Sequence, residues 1–207
     1  SLVPGNHDAY VRGAYEKSTR AWYPYMRGDA APAEWQEDMH VFPYLRVRGQ
    51  VAIIGCSTAV ATPPFSASGY FGSRQAREAV NMLRAAGEAG LFRVVLIHHP
   101  PIRGATSFHK RMIGIRRFAA TVSTGGADLV LHGHTHLNTV HWLPGHMKQI
   151  PVVGIASASQ GPGGHKPPAG YNLCSISGAP GNWNVMRERF ALTSDGLALT
   201  LAETTRF

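Results

Sequence analysis

Cysteine is nearly absent: Cys56 and Cys174 are the only two in 207 residues. That excludes a disulfide-stapled scaffold. Each cysteine sits in an apolar, strand-like context that reads as a buried free thiol in a reducing compartment, so a cytoplasmic location is expected. Charge is sparse too, 15% of the chain against 44% hydrophobic residues, which describes a globular protein of modest surface charge. No apolar run approaches membrane-spanning length, and no membrane partner is expected. Lys and Arg nowhere alternate with aromatics in a run, so no dedicated nucleic-acid groove is expected. No repeat and no strong linker interrupts the chain, and residues 1–207 are expected to form a single domain. Acidic residues are the last deficit: 12 Asp and Glu against 20 Lys and Arg leave +8, a balance suited to an anionic substrate such as a phosphate ester.

What is present gathers where apolar runs stop. Leu129-Val130-Leu131-His132-Gly133-His134-Thr135-His136 reads as a buried strand that releases a tight turn. Gly133 lets the backbone bend, and His134 and His136 leave an irregular turn from which both imidazoles can converge. Imidazole is the commonest metal-binding side chain near neutral pH. Val94-Val95-Leu96-Ile97 ends in His98-His99-Pro100-Pro101. Leu2-Val3-Pro4 ends in Gly5-Asn6-His7-Asp8. Three strand ends bearing His or Asn suggest a parallel sheet presenting its carboxyl ends to one crevice, where open α/β sheets place ligands.

In the order G-N-H-D, H-H-P-P, G-H-T-H, these motifs resemble the calcineurin-like metallophosphoesterase family, and most of all its bacterial cyclic-nucleotide phosphodiesterase-like branch. The resemblance runs from Gly5 to at least His136. It implies an α/β fold, a metallophosphoesterase-type β-sandwich flanked by helices in α/β/β/α layers. The family pattern begins with D-x-H and G-D-x-x-D ahead of G-N-H-D. Only Ser1 to Pro4 precede Gly5 here, so the chain is expected to be the carboxyl-terminal portion of a longer protein, without its first strands. Asp38-Met39-His40 and Gly28-Asp29 imitate the two motifs, but neither follows an apolar strand, and both read as loops.

The resemblance further implies two metal ions, divalent or trivalent, with Mn, Fe, Zn or Co all admitted by mixed N and O ligands. Asn6, His98 and His134 would hold one ion and His136 would help hold the other, while His7 would act on the leaving oxygen as the catalytic histidine. Two such ions share a bridging hydroxide and offset charge in an in-line displacement. Adjacent residues of a strand point opposite ways, so only one of His98 and His99 can face the metals, and the family pattern favours His98. His132 reads as a core or supporting histidine and Asp8 as structural. Arg103, His109, Lys110, His165 and Lys166 are loop residues; together they are candidates for substrate contact, Arg103 and His109 foremost. The expected function is metal-dependent hydrolysis of a small phosphodiester. The alternatives are a phosphomonoesterase or nucleotide pyrophosphatase on the same metals, or a non-catalytic scaffold. Residues 1–207 alone are expected to be inactive.

Between the motifs, periodicity predicts a helix within 10–26 broken by Pro24, a hairpin of strands 42–47 and 51–56, and a loop over 58–72. A helix capped by Ser73 follows, then strand 92–97 and a helix through Met112, Ile115, Phe118 and Val122. The remainder reads as consecutive strands, expected to form an antiparallel sheet.

Overall fold

The computed structural model describes residues 1–207 apart from Asp38, so the Asp38-Met39-His40 match lies partly outside the described residues. Leu2 to Pro4 form no strand; Asn6–Asp8 instead make one 3₁₀ turn. Helix α1 (Ala14–Met26) follows and contains Pro24 without breaking. The proline falls in the last turn, where its missing N–H costs one bond.

Strands β1 (Tyr44–Arg48) and β2 (Val51–Gly55) form the expected hairpin, turned by Gly49 at φ +57°. The loop after β2 contains a short strand that periodicity did not show, β3 (Gly69–Tyr70). Helix α2 (Ser73–Glu88) starts at Ser73, with Gly72 rather than Ser73 as its cap. Strand β4 (Phe92–Ile97) ends at the double histidine. Met112 belongs not to a helix but to β5 (Met112–Ile113), which pairs with β3; helix α3 begins later (Ile115–Gly125). Strand β6 (Leu129–His132) leads into the second histidine motif.

The later strands divide where one antiparallel sheet was expected. β7 (Thr139–Pro144) and β8 (Gln149–Gly154) pair antiparallel, but β8 also lies parallel to β6 and joins the central sheet, ordered β1-β2-β4-β6-β8-β7. β9 (Gly170–Ala179), β10 (Asn182–Leu192) and β11 (Leu199–Arg206) form a separate antiparallel sheet. β8 is buried along Ile150–Gly154, which an interior strand with both faces covered requires. β9 alternates half-buried and exposed, the pattern of a sheet covered on one side.

Alternation within the central strands sets the layers. Val95, Ile97, Val130 and Val152 pack with α2 and α3 on one face; Phe92, Val94, Leu129 and Val153 pack against Val185 of β10 on the other. The result is a mixed α/β sandwich flanked by helices, with the carboxyl ends of β4 and β6 side by side.

Candidate metal centre

Strand alternation decides which histidine faces where. His98 continues the Phe92–Val94 face of β4 and His99 the Val95–Ile97 face, so the two leave the strand in opposite directions. The His98 carbonyl accepts the Gly133 amide at 3.1 Å, which locks the end of β4 to the turn after β6. In that turn His134 and His136 hold φ +67° and +56°. Such left-handed backbone is costly for residues with a Cβ and concentrates at functional sites.

Asn6 arrives from the opposite direction. Its 3₁₀ turn is closed by the Asp8 carboxylate, which accepts the Gly5 amide at 2.8 Å, and is tied to α1 by Ser18 Oγ donating to the Asp8 carbonyl at 3.0 Å. The Asn6 carboxamide N–H donates to the Tyr10 hydroxyl, and this fixes the amide so that its oxygen faces the histidines.

Three ligand-type atoms from segments far apart in sequence then meet. Asn6 Oδ1 lies 2.9 Å from His98 Nε2 and 3.0 Å from His134 Nδ1, and the two nitrogens are 3.2 Å apart. Neighbouring ligand atoms around a cation with ~2.1 Å bonds sit ~3.0–3.4 Å apart. Protonation makes the case stronger. Burial, then the neighbouring histidines, push His98 down to about 3; burial and then His99 push His134 down to about 4, so both rings are neutral. His134 Nε2 donates to the Lys110 carbonyl at 2.9 Å, which leaves Nδ1 as a bare lone pair facing the Asn6 oxygen. Two acceptors aimed at one point beside His98 Nε2 form a donor set that a cation satisfies once the His98 proton is carried on Nδ1.

His99 belongs to the same cluster by position but not by chemistry. Its ligand atom is within 4.8 Å of those of His98 and His134. Yet Nε2 donates to the Ala67 carbonyl at 3.0 Å and Nδ1 faces the Thr58 hydroxyl at 2.7 Å, so neither nitrogen is free. Two glycines make room for these rings. A Cβ on Gly5 would come within 2.8 Å of His98 Cε1, and one on Gly69 within 2.4 Å of His99 Nδ1.

The other expected site residues stand apart from this triad. His136 is exposed, and no hydrogen bond joins it to the cluster among the described residues, although its charge bears on His98 and His134. His7 is exposed, edge-on to Tyr10 with ring centroids 4.8 Å apart. Arg103 and His109 are exposed, on the loop whose Lys110 carbonyl meets His134. Lys166 reaches the motif turn, its Nζ donating to the Thr135 carbonyl at 3.1 Å. His132 is buried, with Nδ1 3.0 Å from the Gly133 carbonyl. Asp29 pairs with Arg48 at 3.0 Å and accepts the Val47 amide, so it serves the β1–β2 hairpin rather than the site. Tyr10, Thr58 and Gly69 carry no motif, and sequence offers no sign of their roles.

A model of the calcineurin-like phosphoesterase family matches residues 1–138. No curated protein sequence matches the chain. Among solved structures, GAP50, the anchor in the inner membrane complex of Plasmodium, is 14% identical with a TM-score of 0.42, over 75% of this chain and 50% of that one. This chain thus spans half the length of that relative. A double mutant of Vps29 from Entamoeba histolytica is 15% identical with a TM-score of 0.31, over 63% of this chain and 76% of that one. A single mutant of the same protein is 13% identical with a TM-score of 0.29, over 75% of this chain and 97% of that one.

Proposed function

Because the chain belongs to the calcineurin-like phosphoesterase family, we propose that it serves as a metal-dependent phosphoester hydrolase acting on a small phosphodiester. The observation that carries this reading is the convergence of Asn6 Oδ1, His98 Nε2 and His134 Nδ1 within 3.2 Å of one another. A cation held there by these residues would polarise a phosphoryl oxygen and offset charge in the in-line transition state. Asn6, His98 and His134 are its ligands, and Mn, Fe, Zn and Co all suit such a mixed set. His136 is the proposed ligand of a second ion. His7, exposed and edge-on to Tyr10, gives a proton to the leaving oxygen as a general acid. Arg103 and Lys166 supply positive charge toward the substrate anion, and His109 a hydrogen-bond donor.

One observation favours a second reading, a binding scaffold without turnover. Among the described residues no Asp or Glu joins the histidine cluster. Three neutral ligands hold a divalent cation less firmly than a set that includes a carboxylate, because nothing offsets its charge.

The test is hydrolysis of bis-nitrophenyl phosphate by the protein at its full natural length, with metal content measured in parallel. Turnover abolished by a chelator, restored by Mn²⁺ and lost together with metal in His134→Ala supports the hydrolase. Stoichiometric metal without turnover supports the scaffold. Absence of metal from the wild-type protein rejects both roles for the triad.

A further inference from the structure

Two loops beside the metal centre end in exposed phenylalanines. Phe65 is fully exposed and Phe108 is 67% exposed. Their loops run side by side, stitched by Ala67 N–H to the His109 carbonyl at 2.8 Å and Gly69 N–H to the Arg111 carbonyl at 3.1 Å, then by the β3–β5 pairing. Both loops are also braced to the site, through the Ala67 carbonyl on His99 and the Lys110 carbonyl on His134. Phe65 holds φ +65°, unusual for a bulky side chain, and packs on nothing in its own chain to compensate.

The charge carried by these two loops is of one sign. Residues 57–72 and 98–113 contain Arg103, Lys110 and Arg111 and no Asp or Glu. The Arg111 guanidinium lies 4.0 Å from the Phe108 ring centroid, an apolar ring and a cation presented as one unit. We propose that loops 58–68 and 103–111 form a docking surface for an anionic lipid bilayer. Phe65 and Phe108 enter the interfacial layer, and Lys110 and Arg111 meet headgroup phosphates.

Shape and size separate this from a protein interface. Two phenylalanines offer roughly 400 Å² between them, whereas a stable protein partner covers about 800 Å² per side with a central packed cluster. Protruding rings flanked by cations match the boundary between acyl chains and headgroups. No membrane partner is expected from the sequence, since it has no spanning run. A surface that rests on a bilayer needs none, and among the described residues no helix is long and apolar enough to cross one.

The inference is independent of the phosphoesterase reading, because vesicle binding is measured without metal or ester. The protein is floated with vesicles of phosphatidylcholine, with or without a third of phosphatidylglycerol. Binding is expected only with the anionic lipid and is released by salt. Lys110→Ser with Arg111→Ser should weaken it roughly thirtyfold, from about 1 kcal/mol per cation near the surface. Phe65→Ser with Phe108→Ser should weaken it at least about tenfold by removing the apolar anchors. Phe65→Gly, which suits the observed φ, repeats the test with no risk to the loop. No binding to anionic vesicles overturns the proposal. So does binding untouched by both phenylalanine variants, which would mean a generic cationic surface. Self-association of the wild type that the same variants abolish overturns it in favour of an interface between copies.

Discussion

The ring of His99 lies 4.3 Å from that of His134, closer than the 5.1 Å between His98 and His134, yet His99 offers the cluster no ligand atom. Its nitrogens are held by Thr58 and the Ala67 carbonyl on the helix-facing side of the sheet. His99 therefore acts as a buried brace that carries the 58–72 loop and supports the His134 ring from behind.

His99→Phe keeps an aromatic ring, somewhat larger than imidazole, and loses both hydrogen bonds. The buried Thr58 hydroxyl is left without this partner, at a cost of about 1–3 kcal/mol, and the half-buried Ala67 carbonyl loses its partner at a smaller cost. Urea denaturation should show that loss, while metal stoichiometry measured below the melting transition stays at the wild-type level. Loss of metal from a folded His99→Phe protein would place His99 among the ligands.

Gly5→Ala removes no ligand, but its Cβ would meet His98 Cε1 at 2.8 Å and push the ring off the triad. Gly69→Ala presses on His99 instead, at 2.4 Å from Nδ1. Overpacking of this kind costs roughly 1–3 kcal/mol. Calorimetric titration with Mn²⁺ should show weakened binding for Gly5→Ala; for Gly69→Ala the main effect should be on stability. Wild-type affinity in Gly5→Ala would mean that the His98 position is not set by this contact.

Acid should unfold the metal-free protein early. Burial holds His98 at about 3 and His99 and His134 at about 4, and lowers His132 as well, all from an ordinary 6.5. Between 6.5 and about 4 the unfolded chain binds protons that the folded chain does not, so stability is full above that window and falls as pH drops through it. Each such histidine contributes up to about 1.4 kcal/mol per pH unit. Urea midpoints should decline steadily from neutral pH to pH ~5, and His99→Phe should make the decline shallower. A flat profile over that range would contradict the buried, neutral state of these rings.

Asp128 lies at the other end of β4 and β6 and tests stability separately from the site. Its side chain is 3% exposed; it accepts the Arg93 amide and guanidinium at 2.9–3.3 Å and faces Lys148 at 3.5 Å. Asp128→Ala leaves the Arg93 charge without its partner and should cost about 3–5 kcal/mol. Thermal melts should record that loss, and metal affinity at low temperature should not change.

Much of this was legible from sequence because it is local. Strand β4 falls where its apolar run stands between Gly90 and Pro100, and the turn after β6 follows from Gly133. The order of the three motifs was enough to name the family, and it singled out Asn6, His98 and His134, whose ligand-type atoms the structure brings within 3.2 Å of one another. Period-two alternation was enough to show that only one of His98 and His99 could face the site, and the family pattern favoured His98. What only the tertiary structure decided depends on contacts between distant segments. β8 enters the central sheet beside β6, and β9–β11 form a second sheet, because burial on two faces rather than sequence proximity assigns strands to sheets. Thr58 meets His99 across forty-one positions, and Gly69 clears space for the same ring. Asn6 Oδ1 is aimed by Tyr10, and the His134 lone pair is freed by the Lys110 carbonyl. A sequence specifies which groups carry a proton or a lone pair; only the folded chain decides which of those groups are already engaged and which are left for a ligand.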